Sequence, residues 1–147
     1  WAYATVGHHS LQLFDNIAGV ALPRLNEFNS QDLANTVWAY ATVDHSSLQL
    51  FDKVAEAALP RLHEFKNQEI ANTAWAYAVF NYPSNFKFGT HPDLVKLIVS
   101  SIDKFDDKQL SQLHQWNLLG KERIGKTLLP LNVSEHCLKV FSSSKLS

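Results

Sequence analysis

The segment Gly120–Thr127 has the residue types and spacing of a phosphate-binding loop. Its sequence, Gly-Lys-Glu-Arg-Ile-Gly-Lys-Thr, fits the Walker A pattern G-x-x-x-x-G-K-T. In that motif the backbone amides and the lysine hold nucleotide phosphates, but the loop must join a buried strand to the N-terminus of a helix. Here a helical pattern precedes the segment, and Pro130 interrupts the chain shortly after it. We therefore expect a basic loop bounded by glycines, with no bound nucleotide and no enzymatic activity.

The histidines and the cysteine do not form a pattern typical of a metal site or a nucleophilic centre. Seven histidines are scattered along the chain, without the i, i+4 pair and carboxylate of a zinc-binding helix. Cys137 is the only cysteine, which excludes an internal disulfide and a cysteine-rich zinc site. Although His136 is adjacent to it, neighbouring residues of a helix point to different faces. We expect no metal, no cofactor and no catalytic residue.

Amide and charged side chains at helical spacing are better candidates for ligand contact. Asp32, Asn35 and Ala39 fall on one side of a predicted helix, and similar residues recur twice further along the chain. Amides can read exposed base edges because each offers a donor and an acceptor. The candidate RNA-binding residues are Gln31, Asp32, Asn35, Gln68, Glu69, Asn72, Lys108, Gln109 and Gln112. The alternative is that they tie neighbouring helices together, since Asn35 and Asn72 are identical and a base code needs positions that vary.

These candidates belong to a repeated sequence unit. The stretch Leu33–Val43 returns as Ile70–Phe80, and its second half is present as Trp1–Val6. The 37-residue interval lies in the range typical of helical solenoids. We predict an all-α fold, an α-solenoid of stacked helical hairpins. Its array should cover residues 1–119, with a partial repeat at 1–29 and repeats starting near residues 30, 67 and 107.

Each full repeat predicts two helices. The first should begin at a capping residue, which is Ser30, Asn67 or Asp107. The second should kink or restart at Pro23 and Pro60, because proline lacks a backbone donor and clashes with the preceding turn. A turn-rich insertion at 81–91 modifies the third unit, whose second helix should begin at Pro92. We expect Gly120 to end the last array helix, and residues 120–147 to form a loop, a short helix and a tail.

The Trp-Ala-Tyr-Ala signature predicts packing between repeats. Small alanines allow neighbouring helices to approach closely, and large aromatic rings fill the space between them. A stacking platform for bases is the alternative role of these rings. The structural keys of the repeat, at 37-residue intervals, are Trp1, Trp38 and Trp75.

Composition limits the remaining possibilities. A chain of 147 residues with 46% hydrophobic content is enough for one domain with a sizeable core. The net charge of −1 counts against generic nucleic-acid affinity. The longest apolar run contains Lys96 and is too short for a membrane span. Because the chain begins within a repeat, we expect a fragment of a longer protein, from a reducing compartment.

The motifs of the repeat resemble those of a known family. The pattern L-A-N-x-x-W-A-Y-A of the first helix and L-P-R-L of the second resemble octotricopeptide-type repeats of organellar RNA-binding proteins. The segment Gln109–Trp116, followed by Leu129-Pro130 and Cys137, is similar to the region before the RAP domain in these and in FAST-kinase-like proteins. The resemblance implies binding of single-stranded RNA, about three nucleotides for this chain, in a mitochondrion or chloroplast, in support of transcript stability, processing or translation. The alternative is a protein-interaction scaffold without RNA binding.

Overall fold

The computed structural model describes residues 11–43, 48–79, 88–124 and 128–146. Within these ranges the secondary structure is helical, with seven α-helices and no strand. The helices are α1 (Leu11–Ala21), α2 (Ser30–Thr42), α3 (Leu48–Ala58), α4 (Asn67–Val79), α5 (Pro92–Ser100), α6 (Asp107–Ile124) and α7 (Leu131–Leu146). The all-α class is therefore confirmed. Trp1 and most of the insertion at 81–91 lie outside the described residues.

The first helices of the repeats, α2, α4 and α6, pack against one another in chain order, and α7 packs against α6. The second helices α3 and α5 lie beside this row and contact the end of the preceding unit. No helix in the described ranges is both long enough and apolar enough to cross a membrane.

Helices α2 and α6 begin with capping boxes that lie one residue earlier than the sequence predicted. The side chain of Asn29 accepts a hydrogen bond from the amide of Asp32 at 2.8 Å, and Asp32 accepts one from the amide of Asn29 at 3.0 Å. Asp106 and Gln109 make the same reciprocal pair before α6. The expected caps are wrong because a capping box pairs the cap with the residue three positions later, and Asp32 and Gln109 stand three positions after Asn29 and Asp106. They are instead the first helical residues, namely Ser30, Asn67 and Asp107.

Proline sets the shape of the second helices. Both α1 and α3 continue into 3-10 segments, Leu22–Glu27 and Leu59–Glu64, each with proline in its first turn. The expected restart at Pro23 and Pro60 is confirmed, because a proline ring cannot continue the α-helical hydrogen-bond ladder. Helix α5 begins at Pro92 as predicted, and Nδ1 of His91 caps it by accepting from the amide of Asp93 at 3.1 Å.

Tyrosine of the Trp-Ala-Tyr-Ala signature connects the two kinds of helix. Tyr40 is fully buried, and its ring meets that of Phe14 edge-on at 5.0 Å between centroids. Its hydroxyl donates to the carbonyl of Phe14 at 2.6 Å, and burial raises the pKa of Tyr40 to about 12, so the hydroxyl keeps its proton. Tyr77 and Phe51 repeat the ring contact and the hydrogen bond one unit later. The same local motif thus builds the same joint twice.

Of the three tryptophans that the structure describes, the most buried one does not stand at the repeated position. Trp38 and Trp75 are only partly buried at the edge of the core. Trp116, which follows Ala76 by 40 residues, is 1% exposed, and its Nε1 donates to the carbonyl of Gly89 at 2.7 Å. In the third unit the buried ring is therefore Trp116, which stands at the position of Ala76 and not at that of Trp75.

The C-terminal region differs from the prediction. Gly120 does not end α6, which continues through it to Ile124. A Cβ at Gly120 would lie 2.4 Å from Cδ1 of Leu128, so the glycine permits close approach of the returning chain inside a helix. The expected short helix and tail are also wrong, since α7 has 16 residues and spans Leu131–Leu146.

Candidate nucleic-acid interface

One surface of α2, α4 and α6 carries three matching sets of exposed or half-buried side chains. Within each helix the three members are spaced i, i+4, i+7, which places them on one face. We call this surface the amide-indole strip. Its members are Gln31, Asn35 and Trp38 on α2, Gln68, Asn72 and Trp75 on α4, and Lys108, Gln112 and Gln115 on α6.

The strip residues on α4 and α6 are cross-linked by their own amides. Nε2 of Gln68 donates to Oδ1 of Asn72 at 2.7 Å and to Oε1 of Gln112 at 3.2 Å. Gln112 donates in turn to Asn72 at 3.0 Å. The indole of Trp75 is held in the same way, because its Nε1 donates to Oε1 of Gln115 at 3.0 Å. These bonds tie α4 to α6, the structural alternative that the sequence left open for such amides.

The strip residues on α2 differ from these in their hydrogen bonding. In the part of the chain that the structure describes, neither Gln31 nor Asn35 uses its side-chain amide in a hydrogen bond to protein. Gln31 is exposed, and Asn35 and Trp38 are half-buried. Two uncommitted amides and one partly open indole face therefore lie together on α2. An amide can hydrogen-bond a base edge and an indole can stack on a base, so these residues have the chemistry of single-strand recognition.

Three of the candidate contact residues have structural partners instead. Asp32 and Gln109 complete capping boxes. Glu69 is 8% exposed, and its Oε1 accepts from the hydroxyl of Ser30 at 2.8 Å and from the amide of Lys66 at 3.1 Å. The bond between Ser30 and Glu69 connects the starts of α2 and α4, and each of the three side chains uses one oxygen in these contacts.

The sequence placed the open face one residue away from where it lies. Ala39 and Ala76, expected on the contact face, are fully buried. The open position next to Asn35 belongs to Trp38, at i+3 instead of i+4. Since one residue turns a helix by about 100°, a small error in the assumed core direction moves a side chain from surface to interior. The polar surroundings of the tryptophan were the available signal.

The described residues provide little for covalent or metal chemistry. No group of three or more His, Cys, Asp or Glu side chains in the described ranges is arranged to hold a metal ion. Cys137 is fully buried, and burial raises the pKa of its thiol, which keeps it protonated and weakly nucleophilic. Of the segment Gly120–Thr127, residues 120–124 are helical, so their amides do not form a phosphate cradle. Residues 125–127 lie outside the described part.

His114 is a buried titratable group on α6. It is 5% exposed, its Nδ1 has no hydrogen-bond partner in the described structure, and its ring lies 4.8 Å from that of Phe141 on α7. Burial lowers the pKa of His114 below its ordinary 6.5. The neutral imidazole therefore serves as a packing group between α6 and α7.

The stability of the protein should fall in mild acid because of His114. The folded state binds a proton there less readily than the unfolded state, so this group leaves stability unchanged above about pH 6.5 and reduces it below, by up to about 1.4 kcal/mol per pH unit. Urea denaturation at a series of pH values should show the decline, and His114→Phe should flatten it. An equally steep decline in the His114→Phe variant would contradict the assignment.

A protein-family model for RESC6, the RNA-editing substrate-binding complex 6 protein, matches residues 1–119. The chain belongs to the RESC6 family. The match spans the whole of α1 to α5 and most of α6, and so includes the entire amide-indole strip. No curated protein and no solved structure matches the chain.

Membership of the RESC6 family corrects the resemblance drawn from the sequence. The assignment to octotricopeptide-type repeat proteins with RAP-domain or FAST-kinase-like relatives is wrong. A period near 37 residues and an alternation of alanine with aromatic residues meet a general packing need of stacked helices, which unrelated families share. The RESC6 family still connects the chain with RNA editing and is compatible with a mitochondrion, but not with a chloroplast.

Proposed function

We propose that the chain binds single-stranded RNA through the amide-indole strip and acts in the mitochondrion, without catalysis, within an RNA-editing substrate-binding complex. The observation that carries this proposal is the group on α2: Trp38 is partly exposed beside Gln31 and Asn35, whose side-chain amides form no hydrogen bond within the described part of the chain. Aromatic rings stack on bases of any sequence, and free amides add hydrogen bonds to base edges.

The repeat extends this surface. Because α2, α4 and α6 pack in chain order with matching strip residues, we propose that the units form an α-solenoid along which an extended RNA strand can lie. The amides that cross-link α4 and α6 form a rigid surface for the RNA strand, while the strip residues on α2 make adaptable contacts with it. This role fits the family name, which describes a complex that binds the substrate of RNA editing.

Trp38→Ala should weaken RNA binding by about 5-fold to 150-fold, the loss that corresponds to one stacked base. Fluorescence anisotropy with a labelled single-stranded RNA pool would measure it. Gln31→Ala with Asn35→Ala should also weaken binding. The matched control is Asn26→Ala with Gln49→Ala, which removes two exposed amides from the 3-10 segment after α1 and from α3. An equal loss in the control would contradict recognition by the strip.

A protein-interaction scaffold is the second candidate, and charge favours it. The net charge is −1, and Lys108 is the one cation among the nine strip residues. Few phosphate contacts predict that RNA affinity depends only weakly on salt. If the folded chain binds no single-stranded RNA even at low salt, the strip is better assigned to contacts with another protein of the complex.

A further inference from the structure

The outer side of α1 carries an apolar groove with a volume of about 370 Å³. Val20, one of the residues that line it, is 65% exposed. Arg24 also lines the groove, with 65% of its side chain exposed, and pairs with the nearby Glu27 at 2.8 Å. The lining residues are Asn16, Ile17, Val20, Ala21, Arg24 and Phe28.

One repeat later, the corresponding side chains are covered. Val54 and Ala58, which follow Ile17 and Ala21 by 37 residues, are fully buried, and Phe65, the counterpart of Phe28, is 7% exposed. They are covered because α3 packs against the 3-10 segment Leu22–Glu27 of the preceding unit. The groove on α1 thus corresponds to the face of α3 that receives Leu22–Glu27, and no 3-10 segment among the described residues takes that place on α1.

The arginine shows the same difference. Arg61 pairs locally with Glu64, as Arg24 does with Glu27, but its side chain is only 28% exposed. Its Nη1 also donates to the carbonyl of Phe28 in the preceding unit at 2.7 Å. Arg24 makes no such bond in the described structure. Arg24 is therefore placed to donate a hydrogen bond to a backbone carbonyl that follows a proline-containing 3-10 turn.

We propose that the α1 groove is the seat of a further repeat unit of the same type, continuous with the polypeptide on the N-terminal side of α1. This unit presents a proline-containing 3-10 turn to Ile17 and Val20, and the backbone carbonyl of the phenylalanine after the turn to Arg24. The interface repeats the one that joins α3 to Leu22–Glu27.

A second folded copy of the chain is a poorer occupant. Its two proline-containing turns, Leu22–Glu27 and Leu59–Glu64, are already covered by α3 and α5. The corresponding segment of its third unit, Ile102–Lys104, is only three residues long and has no proline. A folded copy therefore has no free turn of the required kind in the described residues.

Thiol labelling tests the proposal in the full chain. Val20→Cys introduces an exposed thiol, whereas the native Cys137 is fully buried and should react slowly. An in-frame duplication of residues 1–37 ahead of Trp1 adds one unit in register. Labelling of Val20→Cys should be fast in the 147-residue chain and slower by roughly tenfold or more at that position in the extended chain, because only open sites react. Gln49→Cys, exposed on α3, is the control and should label equally fast in both.

Each outcome of the labelling experiment decides the proposal. Slow labelling in the extended chain, at the rate shown by Ala57→Cys at the partly buried counterpart position, supports it. Fast labelling in an extended chain with native-like helix content overturns it. Protection in the unextended chain that grows with protein concentration also overturns it, in favour of a second copy. Because no RNA is present, failure here is separate from failure of the RNA-binding function.

Discussion

Replacing Trp116 with alanine should lower the free energy of unfolding by about 3–5 kcal/mol, the range for removal of a large buried ring. The indole is 1% exposed in the middle of α6. Its Nε1 donates to the carbonyl of Gly89 at 2.7 Å and so fixes the 3-10 segment before α5 to α6. Truncation would leave a cavity and an unpaired carbonyl. Urea denaturation followed by circular dichroism would measure the loss.

Two related variants test whether burial causes the Trp116 effect. Trp116→Phe keeps most of the ring volume and should cost less than Trp116→Ala. Trp38→Ala removes an indole that is only partly buried, and we expect it to cost about 1–2 kcal/mol, since less apolar area returns to water. If Trp38→Ala were as destabilising as Trp116→Ala, the placement of the two rings would be wrong.

Asn117→Leu should lower the free energy of unfolding by about 2–4 kcal/mol, because it leaves several buried polar groups without partners. Asn117 is 4% exposed on α6. Its Oδ1 accepts from the backbone amides of Leu128 and Leu129 at 3.0 and 3.1 Å, and its Nδ2 donates to the hydroxyl of Ser134 at 2.6 Å. One amide therefore holds the returning chain and α7 against α6.

The matched control at this position is Asn117→Asp. A carboxylate can still accept from both backbone amides and from the Ser134 hydroxyl, so it should retain more stability than leucine despite the burial of charge. Thermal and urea unfolding of the two variants would give the comparison. A leucine variant as stable as the native protein would show that α7 does not depend on this joint.

The sequence alone determined the helical class and the positions of most elements. The 37-residue period identified the repeated unit. The prolines at 23, 60 and 92 and the apolar spacing affect the backbone within a few residues, so their structural effects could be predicted from the sequence. The first helices begin at the predicted residues Ser30, Asn67 and Asp107, but the caps of α2 and α6 lie one residue earlier, because a capping box involves two reciprocal contacts that the sequence permits in more than one register. The absence of a pattern for catalysis or metal binding stays a prediction.

The candidate site was predictable only in part. The amides of Asn35 and Asn72 were identified from their spacing, but spacing cannot show that Asn72 is bonded to Gln68 and Gln112 while Asn35 is not. Such bonds depend on which helix lies alongside, and α2 and α4 have different neighbours. The same side chain in two repeats therefore has two different roles.

What only the tertiary structure decided is the direction in which each residue faces. Trp38 is partly exposed and Ala39 is buried although they are adjacent. The side of α2 that faces the core is set by its packing against α4 and not by its own sequence. Gly120 lies within α6 because the chain returns close enough for Leu128 to contact it. The partly exposed Ile17 and the fully buried Val54 make the same point, since these similar side chains, 37 residues apart, differ in whether another unit covers them.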